Sequence, residues 1–217
     1  MNFVGHALVA TWWSREPSFV LGAMLPDLVN MLGTRVPPTV HPPVELGVGL
    51  HYRTDVAFHA APAFQHLVAE ARRRLDAFGL RRGSARAAAH VGVELLLDNV
   101  VARDPRVTRS VGAALRAGVR QAARWLCWPD ATGTERFQRL CTMLLGRDLG
   151  GRDGAAEAVS FRVARALAGR ALLELDTPSR ELVARWASEA ESEVRDASLT
   201  LLGEVARDLE RSAMAAE

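Results

Sequence analysis

The apolar and polar positions along the chain predict a succession of α-helices. Apolar residues recur at three- and four-residue intervals between short segments rich in Pro, Gly and Asp, which is the pattern of helices that bury one face. Prolines and capping residues set the expected boundaries. The predicted helices span residues 2–13, 17–30, 44–78, 85–103, 107–125, 134–145, 155–173 and 179 to the C-terminus.

Proline and glycine positions refine these boundaries. Asn2 is a candidate N-cap of the first helix. Pro26 is expected to kink or divide the second helix, and Pro62 to bend the third. Residues 33–43, GTRVPPTVHPP, contain four prolines and are predicted to form a loop, and residues 146–154 a flexible turn.

The composition agrees with an all-α protein. Hydrophobic residues make up 49% of the 217 residues and aromatic residues only 6%, and Ala, Leu, Val and Arg dominate, as is typical of helical rather than sheet-rich proteins. A chain of this length can bury a substantial core. We therefore predict a helical bundle that forms one domain over residues 1–217, with the candidate chemistry in residues 1–110 and supporting helices in residues 111–217.

Charge, cysteine content and hydropathy narrow the expected setting. The formal net charge of +2 is too small to indicate nucleic-acid binding. Cys127 and Cys141 lack metal-type spacing, which favours a reduced, cytoplasmic environment. No uninterrupted apolar stretch reaches the length of about 20 residues that a spanning helix needs, so we expect a soluble protein without a transmembrane segment.

Arginines cluster beside the candidate chemistry. Such a basic rim would attract an anionic substrate or an acidic protein, but an ordinary solvated helix face has the same composition. The sequence leaves both interpretations open. The arginines concerned are Arg72, Arg73, Arg74, Arg81, Arg82 and Arg86, with Arg103, Arg106 and Arg109 just beyond them.

Two rows of potential metal ligands occur at helical spacing. His51, Asp55 and His59 are four residues apart, so in a helix they form a slowly drifting row on one face. Imidazole nitrogens and carboxylate oxygens that converge from two helices can enclose Mn²⁺, Fe²⁺, Zn²⁺ or Mg²⁺. The second row, in the segment AAHVGVELLLDNV, is His90, Glu94 and Asp98.

A histidine at helical spacing is also often just a hydrogen-bonded core or surface residue. The leucines at 95–97 weaken that reading for the second row, because Glu94 and Asp98 would be costly to bury in so apolar a helix unless paired or bound to metal. His6 in the first helix and Asp27, which follows Pro26, complete the candidate set. We therefore predict a divalent-metal site.

Four motifs in the N-terminal half resemble those of acyl carrier protein phosphodiesterases, relatives of the HD-type metal-dependent phosphohydrolases. They are MNFVGHALVA, LGAMLPDL, GVGLHYRTDVAFHAAPAF and HVGVELLLDN, in the family's order and approximate spacing. The chain departs from the family pattern at Ala23, at Phe58-His59 and at Asn99, and it has no contiguous His-Asp dyad. The resemblance implies an HD-domain-like helical fold.

The resemblance also implies an activity, which is hydrolysis of the phosphodiester that joins phosphopantetheine to a serine of acyl carrier protein. Mn²⁺ is the metal expected first. Glu94 or His90 would position or deprotonate water, and Arg53 would neutralise charge on the phosphoryl oxygens. The implied metal ligands are His6, Asp27, His51, Asp55 and Asp98, with His59 as an added ligand.

Two other functions remain open from the sequence. One is a noncatalytic helical scaffold or carrier-protein-binding module, which would need no metal. The other follows from LGAMLPDL, which also looks like the corresponding stretch of zinc-dependent phospholipase C-like hydrolases. A lipid phosphodiesterase of that kind would bind membranes through exposed Trp12 and Trp13, whereas we expect these tryptophans in the core.

Overall fold

The computed structural model describes residues 1–147 and 155–214, and the chain in these ranges is all-helical. Its only β-type pairing there is an isolated antiparallel bridge between Thr39 and Leu126. The all-α prediction is confirmed. The helices are α1 (Phe3–Ala10), α2 (Pro17–Met31), α3 (Pro42–Ala60), α4 (Pro62–Ala77), α5 (Arg82–Val101), α6 (Pro105–Trp125), α7 (Ala131–Leu145), α8 (Ala155–Leu167) and α9 (Thr177–Met214).

The third predicted helix is two helices. We expected one bent helix over residues 44–78, and this was wrong, because α3 ends at Ala60 and α4 begins at Pro62. Ala61 between them has an extended backbone, with φ −63° and ψ 124°, and Pro62 takes the first helical position. A proline disfavours the α conformation in the preceding residue, so the helix breaks here rather than bending.

At Pro26, in contrast to Pro62, the helix is not broken. Pro26 lies inside α2, which continues to Met31 without being divided. A proline removes the hydrogen bond to the carbonyl four residues earlier, which here belongs to Gly22. Asp27 therefore follows a turn of α2 that has one backbone hydrogen bond fewer than a regular helical turn.

The first helix is shorter than predicted. Asn2 is its N-cap, and Asn2 Oδ1 accepts a hydrogen bond from the Phe3 amide at 2.8 Å. The helix ends at Ala10, and Trp12 and Trp13 follow in a tight turn whose amides bond three residues back. These tryptophans are 41% and 49% exposed, so the expectation that they lie in the core was wrong.

The last two predicted helices differ from the structure at their boundaries. The predicted helix over residues 155–173 was too long, because α8 ends at Leu167 and Gly169 then adopts a positive φ of 76°. The final helix begins at Thr177, close to the predicted start. Residues 148–154 of the predicted turn and the last three residues of the chain lie outside the described residues.

The chain divides into two compact units. Unit 1 consists of Met1–Val56 and Val101–Gly150, and unit 2 of Ala57–Val100 and Gly151–Glu217. The divisions fall within α3 and near the end of α5. Whether both units make up the single predicted domain over residues 1–217 stays a prediction.

In unit 1, α2 packs against α1 and α6, and α6 packs against α7. The inward face of α6 is apolar, with Val111 and Leu115 fully buried. The loop before α3 is tied to the end of α6, because the Val40 amide donates to Trp125 O at 3.0 Å and the His41 ring stacks on Trp125.

In unit 2, α9 packs against α4 and α8. Trp186 of α9 is 1% exposed and covers Gly92 of α5, where a Cβ would come within 2.7 Å of the Trp186 ring. Arg74 of α4 bonds to Glu193 of α9 at 2.9 Å. Within the described ranges, no helix is both long and apolar enough to span a bilayer.

Candidate metal centres

Unit 1 brings together three of the predicted ligands. His6 of α1, Asp27 of α2 and His51 of α3 each offer a ligand atom, and these atoms all lie within 4.8 Å of one another. His6 and His51 are 1% and 6% exposed, and their rings stack with centroids 3.8 Å apart. Two buried imidazoles side by side with a carboxylate form a donor set suited to a divalent cation.

A pair of glycines allows α2 and α3 to approach closely enough to form this cluster. A Cβ on Gly22 would collide with the carbonyl of Val44 and lie 3.0 Å from Gly47 Cα. A Cβ on Gly47 would in turn lie 2.8 Å from the Ala23 amide nitrogen. Our sequence reasoning missed this contact, although two interior helical glycines close to candidate ligands are a signal of close packing.

The glycine contact also fixes the orientation of His51. His51 Nδ1 lies 2.9 Å from the backbone carbonyl oxygen of Ala23, a distance at which an Nδ1–H donates to that oxygen. In a neutral imidazole this leaves the Nε2 lone pair to accept a cation. Burial lowers the pKa of His51, and the Ala23 bond and the charge of Asp55 oppose this only partly, so the ring stays neutral near pH 7.

A second carboxylate stands at the edge of the cluster. Asp55 Oδ1 lies 3.8 Å from His6 Nε2, and Asp27 Oδ2 lies 3.9 Å from the same nitrogen. The side chains of Asp55 and Asp27 are 40% and 23% exposed. The imidazoles and Asp27 Oδ2 therefore form the buried floor of the cluster, and Asp55 is its more exposed carboxylate.

These residues fit a divalent metal with two adjustments. The ammonium group of Met1 lies 3.5 Å from Asp55 Oδ1, and an ion bound by Asp55 would have to displace it. Two neutral nitrogens and two carboxylate oxygens match the donors that Zn²⁺, Mn²⁺ and Fe²⁺ accept, and the two negative charges offset the charge of the ion. His6 Nε2 lies 3.1 Å from the carbonyl oxygen of Met1. Coordination through that nitrogen would require the ring proton to occupy Nδ1 instead.

Unit 2 contains a second cluster. His59 Nε2, His90 Nε2 and Glu94 Oε1 are separated by 3.2 Å along each of the three pairs. Burial alone would raise the pKa of Glu94, but the hydrogen bonds from His59 and His90 outweigh it and hold this pKa below its ordinary value. The i,i+4 spacing of His90 and Glu94 correctly indicated that these two side chains meet.

Two further predicted residues lie on α5 and α3. Asp98 is buried on α5, 1% exposed, and its neighbour Asn99 is 6% exposed. Arg53 is exposed on α3. Two residues along a helix correspond to about 200° of rotation, so Arg53 points away from His51 and Asp55. The roles expected for Asp98 and Arg53 stay predictions.

The predicted basic rim is partly neutralised within unit 2. Arg73 and Arg74 both contact Glu70, and Arg72 lies 3.6 Å from Asp76. Ion pairs of this kind are typical of a solvated helix face. This part of the rim therefore offers less positive charge to a partner than its sequence suggests.

Comparison of the chain with models of protein families, with curated proteins and with solved structures gave no match. The resemblance to acyl carrier protein phosphodiesterases therefore rests on the motifs in the sequence.

Proposed function

We propose that the protein is a metal-dependent phosphohydrolase that cleaves phosphodiesters, with its metal held by His6, Asp27, His51 and Asp55. The observation that carries the proposal is the convergence of two buried imidazoles and two carboxylates from three helices of unit 1. The Ala23 carbonyl bond adds support, because a backbone acceptor on the far nitrogen is the usual way in which proteins orient a metal-binding histidine.

A bound divalent cation would polarise a phosphoryl oxygen and lower the pKa of bound water. The chain's own residues serve that chemistry in separate ways. The two imidazoles supply uncharged donors from a buried floor, so they add no positive charge beside an anionic substrate. Asp27 and Asp55 supply the negative charge that would hold a cation, and the side chain of Asp55 is 40% exposed to solvent.

The substrate we propose first is the phosphodiester between phosphopantetheine and a serine of acyl carrier protein. Its support is the resemblance of the four sequence motifs, together with a basic segment around Arg81, Arg82 and Arg86 that would attract an acidic protein. Arg53 is proposed to contact substrate only if the substrate extends over the exposed side of α3.

The decisive experiment is a substrate panel run on the full-length protein. It contains phosphodiesters, phosphomonoesters and holo acyl carrier protein, each assayed with Mn²⁺ and with chelator. We expect hydrolysis of a phosphodiester that chelator abolishes and that Asp27→Asn lowers about a hundredfold or more. His66→Ala, an exposed histidine on α4 outside both clusters, is the matched control.

Two results would contradict the proposal. One is an absence of metal-dependent hydrolysis for every member of the panel, and the other is an Asp27→Asn variant that retains the full rate. A metal-free protein whose stability is unchanged by His51→Ala would favour the noncatalytic scaffold instead.

A lipid phosphodiester is the second candidate substrate, and the exposure of Trp12 and Trp13 favours it. Their rings lie 6.0 Å apart on the turn after α1. Tryptophan is enriched at membrane interfaces because its ring is apolar and its N–H is polar. Binding to anionic phospholipid vesicles that is lost in a Trp12→Ala, Trp13→Ala double variant would favour this substrate, and unchanged or absent vesicle binding would exclude it.

A further inference from the structure

The three ligand atoms of the unit 2 cluster are evenly spaced. His59 Nε2, His90 Nε2 and Glu94 Oε1 form a triangle with 3.2 Å on each side. We propose that these three residues form a metal site of their own, built entirely from unit 2 and suited to Zn²⁺. The proposal does not depend on the proposed function, and it reassigns His90 and Glu94 from handling water to binding the cation.

The size of the triangle is the first argument. Zn²⁺ binds imidazole nitrogen and carboxylate oxygen at about 2.0–2.1 Å, so neighbouring ligands of a tetrahedral ion are about 3.3 Å apart. The observed 3.2 Å edges therefore need almost no rearrangement to accept the ion. In the unit 1 cluster, by comparison, His6 Nε2 is 3.8–3.9 Å from the two carboxylate oxygens.

The proton count is the second argument. A neutral imidazole has one N–H, and two Nε2 atoms that face each other can share only one hydrogen between them. Both rings can donate an Nε2–H to Glu94 Oε1, but the two hydrogens then face each other across the 3.2 Å between the nitrogens, so the ring–ring contact cannot also be a hydrogen bond. A cation at the centre satisfies all three atoms at once, because each then contributes a lone pair.

The surroundings hold the ligands in place. Phe64 packs edge-on against both histidine rings, with centroids 5.3 Å from each, and the two rings are parallel to within 7°. The His59 carbonyl accepts a hydrogen bond from Gln65 Nε2 at 3.1 Å. Because Gly92 lies under Trp186, the turn of α5 between His90 and Glu94 sits directly on α9.

The cluster is accessible as well as ordered. The side chains of His59, His90 and Glu94 are 34%, 42% and 16% exposed, so an ion could reach them from solvent. Three protein ligands with one open position is the arrangement of Zn²⁺ sites that bind water or substrate.

The test titrates Zn²⁺ into chelator-treated full-length protein by calorimetry and uses Co²⁺ absorption as a second readout. We expect His59→Ala, His90→Ala and Glu94→Gln each to remove one binding event or weaken it about a hundredfold. Tetrahedral Co²⁺ bands should disappear in the same variants. His66→Ala should bind like the wild type.

The controls separate this proposal from the proposed function. His51→Ala, in unit 1, should leave the unit 2 binding event intact, so loss of the unit 1 site alone does not count against it. Circular dichroism shows whether each variant is folded. Because three variants are tested, the experiment still gives an answer if one of them does not fold. The proposal is overturned if the wild type binds no Zn²⁺, or if the folded unit 2 variants bind as many ions as the wild type with unchanged affinity.

Discussion

The close approach of α2 and α3 yields the sharpest test of the fold around the unit 1 cluster. In Gly22→Ala the added Cβ would meet the Val44 carbonyl and come within 2.9 Å of its carbon, against an ordinary carbon–carbon contact of about 3.5–4.0 Å. Both obstacles are backbone, so the helices themselves must separate by about 0.5–1 Å. We expect this shift to stretch the 2.9 Å bond between His51 Nδ1 and Ala23 O.

Two opposing contributions determine how much Gly22→Ala changes the free energy of unfolding. Overpacking of a buried contact costs about 1–3 kcal/mol, whereas replacing an interior helical glycine by alanine gains about 0.5–1 kcal/mol. We expect a net loss of about 1–2 kcal/mol in the free energy of unfolding. For a chain of this size that corresponds to a fall of about 2–8 °C in Tm.

The chain supplies a matched control in the neighbouring turn. Gly49 lies on α3 as well, is exposed, and would place its Cβ in open space, with nothing within 4 Å. Gly49→Ala should therefore stabilise the protein by about 0.5–1 kcal/mol through helix propensity alone. Urea unfolding of both variants measures the two free energies, and metal titration measures the effect on the cluster.

A Gly22→Ala protein as stable as Gly49→Ala would show that the helices are not in contact at Gly22. If Gly22→Ala kept the wild-type metal affinity while losing stability, the link between the contact and the His51 bond would be absent.

Gly92, Glu70 and the unit 1 ligands each predict a measurable change in the folded protein. Gly92→Ala should lower the free energy of unfolding by about 1–3 kcal/mol, measured by urea unfolding, because its Cβ would press on the buried Trp186 ring; an unchanged stability would contradict this. Hydrogen bonds from Arg73 and Arg74 lower the pKa of Glu70 to about 2. The folded state thus holds this proton less tightly, so the stabilisation exists above the ordinary pKa of 4.5 and is lost as pH falls towards about 2; an NMR titration of Glu70 with a midpoint near 4.5 would refute it. Adding a divalent cation at about 100 times its Kd should stabilise the chelator-treated protein by about 2.7 kcal/mol, seen as a rise in Tm that His51→Ala reduces.

Most of the helices followed from local spacing, and the errors have local causes. The break at Ala61 arises because the residue before a proline avoids the α conformation, an effect we treated as a bend. The same residue type at Pro26 is tolerated inside α2. The residue before Pro62 is extended, whereas α2 continues through Pro26, and the proline itself is the same in both sequences.

Trp12 and Trp13 show the limit of hydrophobicity as a guide to burial. Both are large and apolar, and a helix over residues 2–13 would have carried at least one of them inward. The helix ends at Ala10 instead, and the turn after it leaves both exposed. A helix boundary that moves by a few residues thus changes the environment of every side chain beyond it.

The candidate ligands were found through their spacing, but their grouping was not. A four-residue step turns a helix by 400°, so each step drifts by about 40° and His59 points about 80° away from His51. His59 meets His90 and Glu94, and His51 meets His6 and Asp27. Which ligands on other helices each residue meets depends on tertiary packing, such as the glycine contact at Gly22. The spacing of residues along one helix does not predict it.

Imidazoles and carboxylates far apart in the sequence are proposed to meet around divalent cations. The most direct measurement is the metal content per chain after loading with Zn²⁺ or Mn²⁺ and desalting, determined by mass spectrometry of the full-length protein. We predict that Asp27→Asn and His51→Ala each lose the unit 1 ion while His66→Ala retains it. Equal metal content in the wild type and in folded Asp27→Asn and His51→Ala proteins would mean that Asp27 and His51 hold no ion.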